Sequence, residues 1–418
     1  MHKRTTAALA VAVAAVVGLS ACGSAKSSSK KGDSTKAAGA PIKLGVLTSL
    51  TGSAASGFTT VEKGVKARLG LENAAGGVNG HKLSYVMADD QSTGPGVVAG
   101  AKKLIQQDHV YGILENSSFF SAAAKTTTTA GIPVTGVSFD AGPEWTDKSA
   151  TNLFDAYGYG NYSTLSTAWG KYFKSQGATK VGAVGYAGSI SSELAAIESV
   201  KSAEHAGLKA GYLNNTVPFG STNVGPIIQA IKASGTDALY LPVVPNTAFA
   251  IAVGLQQAGV KLKSVVLATG YGGDLLASKD AVAAANGLEF SVIAAPVELN
   301  TAGTQKFVSA LSQYAGVTTT PTFGEYIGWL TADLFITGLK LSGGNASSAD
   351  FISKLRAGTW DGAGIESPTN FADIKDTAGG LDQANCIYIV RLQGTTFKPI
   401  DGASPVCGQP VPGVALKP

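Results

Sequence analysis

Ile42-Lys43-Leu44-Gly45-Val46-Leu47-Thr48-Ser49-Leu50 opens the foldable part of this chain as a short apolar run that ends at Thr51-Gly52. A run of this length next to a glycine turn is typical of a buried strand. Helical spacing follows over 59–73, and a second short run over 82–88 predicts another strand. Strand, helix and strand in this order are the unit from which helix-covered parallel sheets are built.

The same alternation continues for most of the chain. Further strands are predicted over 110–114, 133–138, 152–157, 181–186, 208–217, 238–244, 265–269 and 288–295. The helices predicted between and after them lie over 97–107, 119–130, 162–175, 192–205, 224–233, 247–257, 304–314 and 323–341. The pattern restarts at 152–157, so we predict an α/β fold with two similar lobes.

The chain beyond position 40 is also longer than one hydrophobic core usually organises. We expect lobe 1 to comprise residues 41–156 and 295–361, and lobe 2 to comprise 157–294 and 362–418. The two long helical segments after 295 would return the chain to lobe 1. Hinge crossovers are expected near 155–158, 294–296 and 360–364, with a ligand cleft between the lobes.

The N-terminus has the pattern of an export signal. His2, Lys3 and Arg4 precede an apolar run over 7–19 that is too short for a permanent membrane span. Leu19-Ser20-Ala21-Cys22 resembles the lipobox of bacterial lipoproteins, which predicts a signal peptide over 1–21 and lipidation of Cys22. Residues 22–40 are polar or small and predict a flexible tether. The protein is therefore expected on the outer face of the cell membrane, held by more than one acyl chain.

Charge and cysteine content restrict the remaining possibilities. Residues 1–40 carry six Lys or Arg and one Asp, which leaves 26 basic against 27 acidic residues in the rest of the chain. No basic cluster with interleaved aromatic residues follows, so a nucleic-acid partner has no support. Cys386 and Cys407 are close in sequence and are expected to form a disulfide in an oxidising compartment. The sequence predicts no metal site and no cofactor.

Several short motifs, taken in order, resemble one family. They are the opening run to Gly52, Gly76-Gly77-Val78-Asn79-Gly80, Asp89-Asp90-Gln91-Ser92, Lys103-Leu104-Ile105, Gly131-Ile132-Pro133-Val134, and Ser221 leading to Ile231-Lys232 and Asp237. Together they resemble the branched-chain-amino-acid-type solute-binding proteins of ABC importers. The resemblance implies the type I periplasmic-binding-protein fold, with a parallel sheet flanked by helices in each lobe and a three-crossover hinge.

The resemblance also implies a set of ligand contacts. Ser117 and Ser118 match a serine loop after the third strand, and Ser138, Phe139 and Asp140 match the loop after the fourth. Asp140 departs from the family, which has a threonine that donates to the ligand carboxylate, because an ionised Asp cannot donate. Asp155, where the family often has Arg, is a second departure. Both argue against a standard Leu, Ile or Val ligand.

The second lobe and several aromatic residues complete the predicted site. Asp274 matches the family's ammonium-binding acid and is the candidate partner for an amine or hydroxyl. Aromatic residues at predicted loop ends suit stacking on a planar or apolar ligand. Those assigned to the ligand are Phe58, Phe139, Tyr186, Tyr271 and Tyr326.

Two other classes of function were weighed. An extracellular hydrolase needs a nucleophile and a base, but the chain has no Gly-x-Ser-x-Gly motif and its few histidines do not fall at strand ends. A ligand-binding sensor shares this fold and would need a separate signalling partner. We predict a non-enzymatic, monomeric lipoprotein of an ABC importer that binds a small amino-acid-like, aromatic or polar organic solute and delivers it to a membrane permease.

Overall fold

The opening run forms a strand inside a parallel sheet in the computed structural model, which describes residues 39–145, 147, 149–157, 164–373 and 386–417. The signal, Cys22 and the predicted tether up to residue 38 lie outside this range. Among the described residues, the first sheet has the order β2-β1-β3-β4-β5 and all its pairings are parallel. Its strands are β1 (Gly39–Thr48), β2 (His81–Asp89), β3 (Gly112–Asn116), β4 (Val134–Gly136) and β5 (Leu153–Asp155).

The strand predicted over 152–157 ends the first sheet and does not open the second. β5 pairs in parallel with β4, with Phe154 opposite Thr135. All of its residues are buried, as expected for a strand covered on both faces. An apolar run has the same pattern in either sheet, so the sequence alone could not assign it.

Helices cover this first sheet, and two of them come from the later part of the chain. They are α1 (Ala55–Phe58), α2 (Val61–Ala74), α3 (Gly94–Lys102, continued as a π-helix over Lys103–Gln107), α4 (Ser121–Ala130), α12 (Phe323–Leu341) and α13 (Ser348–Arg356). α12 packs against α2 with glycine on both sides of the contact. A Cβ at Gly64 would lie 2.1 Å from the Glu325 carbonyl oxygen, and one at Gly328 would lie 2.2 Å from that of Val61. Only glycine allows the two backbones to approach this closely.

The second sheet has the order β15-β14-β11-β10-β9-β7-β8 among the described residues. Its strands β7 to β11 pair in parallel, and β14 adds an antiparallel edge on β11. The strands of this half are β6 (Thr164–Ser166), β7 (Lys180–Tyr186), β8 (Lys209–Val217), β9 (Ala238–Leu241), β10 (Ser264–Leu267), β11 (Glu289–Val292), β14 (Cys386–Gln393), β15 (Thr396–Pro399), β16 (Val406–Cys407) and β17 (Pro410–Ala415). Its helices are α5 (Ala168–Ser175), α6 (Ile190–His205), α7 (Gly225–Ser234), α8 (Pro245–Gln257), α9 (Gly273–Leu276) and α10 (Lys279–Ala285).

The chain stays beside the first sheet beyond the third crossover that was predicted near 360–364. The chain leaves the first sheet after β5 and leaves the second sheet after β11, before α11 (Ala302–Ala310, continued as a π-helix over Leu311–Ala315). The short strands β12 (Thr359–Trp360) and β13 (Thr369–Asn370) then pair with each other. Phe371 still packs edge-on against Phe154 of β5, with 5.4 Å between ring centroids. The chain therefore stays beside the first sheet at least to Phe371, beyond the boundary predicted at 361.

The predicted disulfide is present. Cys386 of β14 and Cys407 of β16 are joined, and the two strands pair at this position. None of the helices in the described part of the chain is long and apolar enough to cross a membrane.

Candidate ligand-binding site

A cavity of about 210 Å³ lies where loops of the two halves meet. Ser118 follows β3 and Phe139 follows β4, both in the first half. Tyr186 ends β7, Val243 follows β9 and Thr269 follows β10, all in the second half. The carboxyl ends of parallel strands from both sheets thus converge on one space, which is where ligands bind in such folds.

Aromatic side chains form much of the cavity wall. They are Phe58, Phe139, Tyr157, Trp169, Tyr186, Phe219, Tyr240 and Phe323. On the side of the first half, Phe139 stacks on Phe323 at 5.3 Å, and Phe58 stands edge-on to both rings at 6.3 and 5.9 Å. On the opposite side, the ring centroids of Tyr186 and Phe219 lie 4.5 Å apart. This arrangement provides large flat apolar faces on two sides of the cavity.

Hydroxyl groups supply most of the polarity of the wall. Ser118, Ser189, Ser191, Ser192, Thr269 and Ser291 all line the cavity. Some are already engaged: the Thr269 hydroxyl donates to the Val243 carbonyl at 2.7 Å, and the Tyr186 hydroxyl donates to Thr247 at 2.6 Å. The Ser118 hydroxyl makes no hydrogen bond to another described residue, so it can serve a ligand. No Lys, Arg or His is found among the described residues that line the cavity.

The two halves touch at the edge of the cavity. The Ser191 hydroxyl, at the start of α6, donates a hydrogen bond to the backbone carbonyl of Phe139. Nearby, the rings of Phe119 and Phe219 lie 5.4 Å apart. These contacts join the loop after β4 to the second half, so both halves border the site.

The cavity continues into the second half, beyond the strand-end loops. Trp169 of α5, Glu198 of α6, Tyr240 of β9, Ser291 of β11 and Ile387 of β14 line this inner part. Trp169 and Tyr240 are in close ring contact, with 4.0 Å between centroids. Burial raises the pKa of Glu198 to about 7, and the backbone N–H of Ser166 opposes the shift by donating to its Oε1 at 3.2 Å.

Four of the ten residues predicted to contact the ligand line the cavity. They are Phe58, Ser118, Phe139 and Tyr186. Each lies at or near an element end that the resemblance placed at the cleft, and these four remain candidates for ligand contact. The other six lie outside the cavity wall.

Ser117 and Ser138 use their hydroxyls for structural hydrogen bonds. Ser117 is fully buried, donates to the Asp90 carboxylate and accepts from the Phe119 N–H at 3.1 Å. Ser138 donates to Oδ2 of Asp155 at 2.6 Å. Asp155 also accepts from the Tyr157 N–H at 2.8 Å. These bonds fix the two cleft loops to the first sheet.

Asp140 is likewise held by its own loop. Its carboxylate accepts from the Trp145 indole N–H at 2.7 Å and from the Ser121 hydroxyl at 2.9 Å. Burial is the main cause that raises its pKa to about 7, and the neighbouring carboxyl of Glu144 adds to the shift. Asp140 was expected to accept a hydrogen bond from the ligand. In the structure, Trp145 and Ser121 are the donors to its carboxylate.

The remaining three residues sit around the second half's loop after β10. The Asp274 carboxylate accepts from the Leu275 N–H at 2.9 Å at the start of α9, and burial raises its pKa. The Tyr271 hydroxyl donates to Glu298 at 2.9 Å, and the Tyr326 hydroxyl donates to the Ala295 carbonyl at 3.3 Å. Burial is the largest cause that raises the pKa of Tyr271 and of Tyr326.

Sequence reasoning missed much of the cavity wall. Trp169, Phe219, Tyr240, Phe323 and Glu198 were not assigned to the site. Glu198 had a detectable signal, because it falls four residues after Leu194 on the buried face of α6, where an ionisable residue is unusual. The aromatic residues gave no such signal, since a buried ring on a strand or helix is ordinary core.

The described residues contain no group of three or more His, Cys, Asp or Glu side chains placed to hold a metal ion. Two helix-flanked parallel sheets with a cavity at the carboxyl ends of their strands are the architecture of a type I periplasmic binding protein. The chain belongs to the periplasmic binding protein family, whose model matches residues 41–396. Its fold is the Leu/Ile/Val-binding-protein-like form, and the family implies an extracytoplasmic location.

Solved structures of solute-binding proteins share this fold at low sequence identity. One is a solute-binding protein of an ABC transporter from R. palustris in complex with benzoate (TM-score 0.69, 19% identity, 89% of this chain and 97% of that one). Another is a fatty acid ABC transporter substrate-binding protein from Thermomonospora curvata (0.67, 18%, 89% and 92%). A third is the branched-chain amino acid transporter substrate-binding protein LivJ from Streptococcus pneumoniae with isoleucine (0.66, 18%, 89% and 99%). No curated protein matches the chain in sequence.

Proposed function

We propose that this protein is the solute-binding component of an ABC importer and takes up a small, mainly apolar or aromatic organic solute. The observation that carries the proposal is the cavity lined by residues of both halves, with aromatic rings on both sides and serine hydroxyls in the wall. Because no Lys, Arg or His lines its described wall, a carboxylate on the solute would be held by serine hydroxyls and backbone N–H groups and not by an ion pair.

The similar structures agree with this solute class. Two of those proteins are in complex with benzoate and with isoleucine, and the third is a fatty acid ABC transporter substrate-binding protein. Asp140 and Asp274 have internal partners, which gives less reason to expect an amino-acid ammonium here. We therefore rank aromatic and aliphatic solutes above polar amino acids, polyols and polyamines.

A thermal-shift screen tests this function. Benzoate, 4-hydroxybenzoate, decanoate and isoleucine are compared with glycerol and spermidine on the purified protein. A true ligand at 100 times its Kd adds about 2.7 kcal/mol to the free energy of unfolding, a shift of several degrees in Tm. If no aromatic or aliphatic solute stabilises the protein, or if spermidine is the best ligand, the proposal fails.

The cavity wall is tested by Phe139→Ala. This change removes one face of the stacked pair with Phe323, and we expect the affinity for the best solute of the screen to fall at least tenfold in calorimetric titrations. Tyr111→Ala is the control, because Tyr111 packs on Phe335 and Phe351 and does not line the cavity. Equal losses in both variants would place the site elsewhere.

We also propose that Cys22 carries a lipid that keeps the receptor beside its permease. A tether over 22–40 would raise the local concentration of the binding protein at the membrane. Cys22→Ala should release a protein that still binds solute but supports uptake poorly. Membrane and soluble fractions compared by immunoblot, with uptake of labelled solute, check this, and retention of Cys22→Ala in the membrane fraction would contradict the lipid anchor.

A further inference from the structure

The cavity has an inner arm that lies inside the second half. We define it by Trp169, Glu198, Tyr240, Ser291 and Ile387, which come from two helices and three strands of that half. None of these residues belongs to a loop that meets the first half. A solute that fills only the space between the two halves would leave this arm unused.

The arm combines aromatic and aliphatic surface with three polar side-chain groups, the Glu198 carboxyl and the hydroxyls of Tyr240 and Ser291. Trp169 and Tyr240 are buried and lie in ring contact. Glu198 is 9% exposed and is the one Asp or Glu among the described residues that line the cavity. Its Oε1 accepts the Ser166 N–H, and a carboxylate has lone pairs for several further donors. No Lys, Arg or His is found among the described lining residues, so no cationic side chain of the described wall competes with a ligand hydroxyl for the remaining lone pairs of Glu198.

Burial fits a neutral donor better than a charged one. The raised pKa of Glu198 reports surroundings of low polarity, and an ammonium group would have to leave water completely to reach it, at a high cost. A hydroxyl group loses much less on entering such a space. In low-polarity surroundings a hydrogen bond to a carboxyl group also contributes more than it does in water.

We propose that the inner arm binds the far end of an elongated solute, where Glu198 accepts a hydrogen bond from a hydroxyl group. This inference rests on the proposed function and specifies its solute class. The solute is an extended molecule, such as a phenol or an alcohol, that has no charge at the end bound in the arm. Its hydroxyl lies at that end, and the opposite end is held at Phe139 and Ser118.

Two matched esters test the inner arm on the full-length protein. Methyl phloretate and methyl hydrocinnamate differ only in the phenolic hydroxyl at the far end of the ring, and the ester group itself donates no hydrogen bond. In calorimetric titrations we expect methyl phloretate to bind at least about tenfold more tightly, the size of a hydrogen bond to a carboxylate. Equal affinities, or no binding of either ester, would overturn the inference.

Variants assign the preference to Glu198. Glu198→Leu should reduce the ratio of the two ester affinities to less than about twofold. Glu204→Leu, the same substitution at an exposed position of α6, should leave this ratio at the wild-type value. Ala195→Phe gives a second test if the leucine variant does not fold, because a ring at this lining position would fill the arm and lower the affinity for both esters at least tenfold. An unchanged preference in Glu198→Leu, or unchanged affinities in Ala195→Phe, would refute the assignment.

Failure of this inference differs from failure of the proposed function. If benzoate or another short solute binds but the two esters bind equally, the inner arm is not used and the proposed function stands. If no solute in the screen binds, the proposed function itself fails.

Discussion

Asp140 and Glu198 are both buried carboxyl groups whose pKa is raised to about 7, but they differ in their hydrogen-bond partners and in whether they line the cavity. Asp140 is near Glu144 and is bonded by Trp145 and Ser121, so its surroundings are complete without a ligand. Glu198 has one backbone donor and lines the cavity. A residue at a family's ligand-binding position can therefore contact a ligand only if neighbouring side chains do not already occupy its hydrogen-bonding groups.

The raised pKa of Glu198 predicts a pH dependence of stability. Its ordinary pKa is 4.5 and burial raises it to about 7 in the folded protein, so the folded state keeps a proton that the unfolded state loses between these values. The contribution of this group is fully present below about pH 4.5 and is lost as the pH rises through 7. The nearby hydroxyls of Tyr157 and Tyr240 have pKa values raised by burial and stay neutral throughout.

Glu198→Gln should remove this dependence. Melting temperatures of the wild type and of the variant are compared from pH 5 to pH 8. The variant should gain stability relative to the wild type as the pH rises, whereas Glu204→Gln, on the exposed side of the same helix, should follow the wild type. Parallel curves for the wild type and Glu198→Gln would contradict the raised pKa.

The disulfide predicts a second stability effect. Cys386 and Cys407 are 21 residues apart, and cross-links closing loops of this size typically contribute about 2 to 4 kcal/mol. The double change Cys386→Ser, Cys407→Ser should lower the free energy of unfolding in urea by this amount. Reductant should destabilise the wild type but not the double variant, and equal sensitivity of both proteins would argue against the bond.

At the scale of elements, the pair α2 and α12 holds the first half together. The Arg68 guanidinium of α2 pairs with Asp333 of α12 and lies 3.1 Å from Glu72. Asp333 also accepts from the indole N–H of Trp360 at 2.9 Å. This buried network forms only after residues separated by more than two hundred positions have come together. It therefore links the early and late parts of the chain.

Breaking this network should be costly. Asp333→Asn removes the carboxylate and leaves Arg68 buried with only part of its charge compensated, so we expect a loss of about 3 to 5 kcal/mol in urea unfolding. Asp280→Asn, an exposed aspartate in the first turn of α10, should cost less than about 1 kcal/mol. Similar effects in the two variants would mean that the network adds little.

At the scale of the whole molecule, contacts between the halves control access to the cavity. The bond from the Ser191 hydroxyl to the Phe139 carbonyl holds the loop after β4 against α6, and closure about connecting segments is the usual motion of such folds. Ser191→Ala should favour the open form and weaken solute binding several-fold.

Small-angle scattering with and without solute measures this change. The wild type should contract when solute binds, and Ser191→Ala should need a higher solute concentration to contract equally. Ser175→Ala is the control, because the Ser175 hydroxyl donates to the Tyr172 carbonyl, accepts from the Gln176 side chain and does not line the cavity. An identical solute dependence in all three proteins would exclude a role for this bond in closure.

Local sequence pattern determined the order and type of most elements. The helix predicted over 323–341 has the same bounds as α12, the strand predicted over 82–88 is one residue shorter than β2 at each end, and the strand predicted over 181–186 starts one residue after β7. Periodicity suffices for these because each element buries its own apolar residues. Pattern could not decide which sheet receives a short strand, as β5 demonstrates.

The site depended on the tertiary structure. From the sequence alone came the fold, the family and four cavity residues, Phe58, Ser118, Phe139 and Tyr186, because strand-end loops converge in every fold of this kind. Only folding showed that Asp140 and Asp274 already have partners, and that Trp169, Tyr240 and Glu198 surround an inner arm. Partners and empty space arise between residues distant in sequence, so no local pattern contains them.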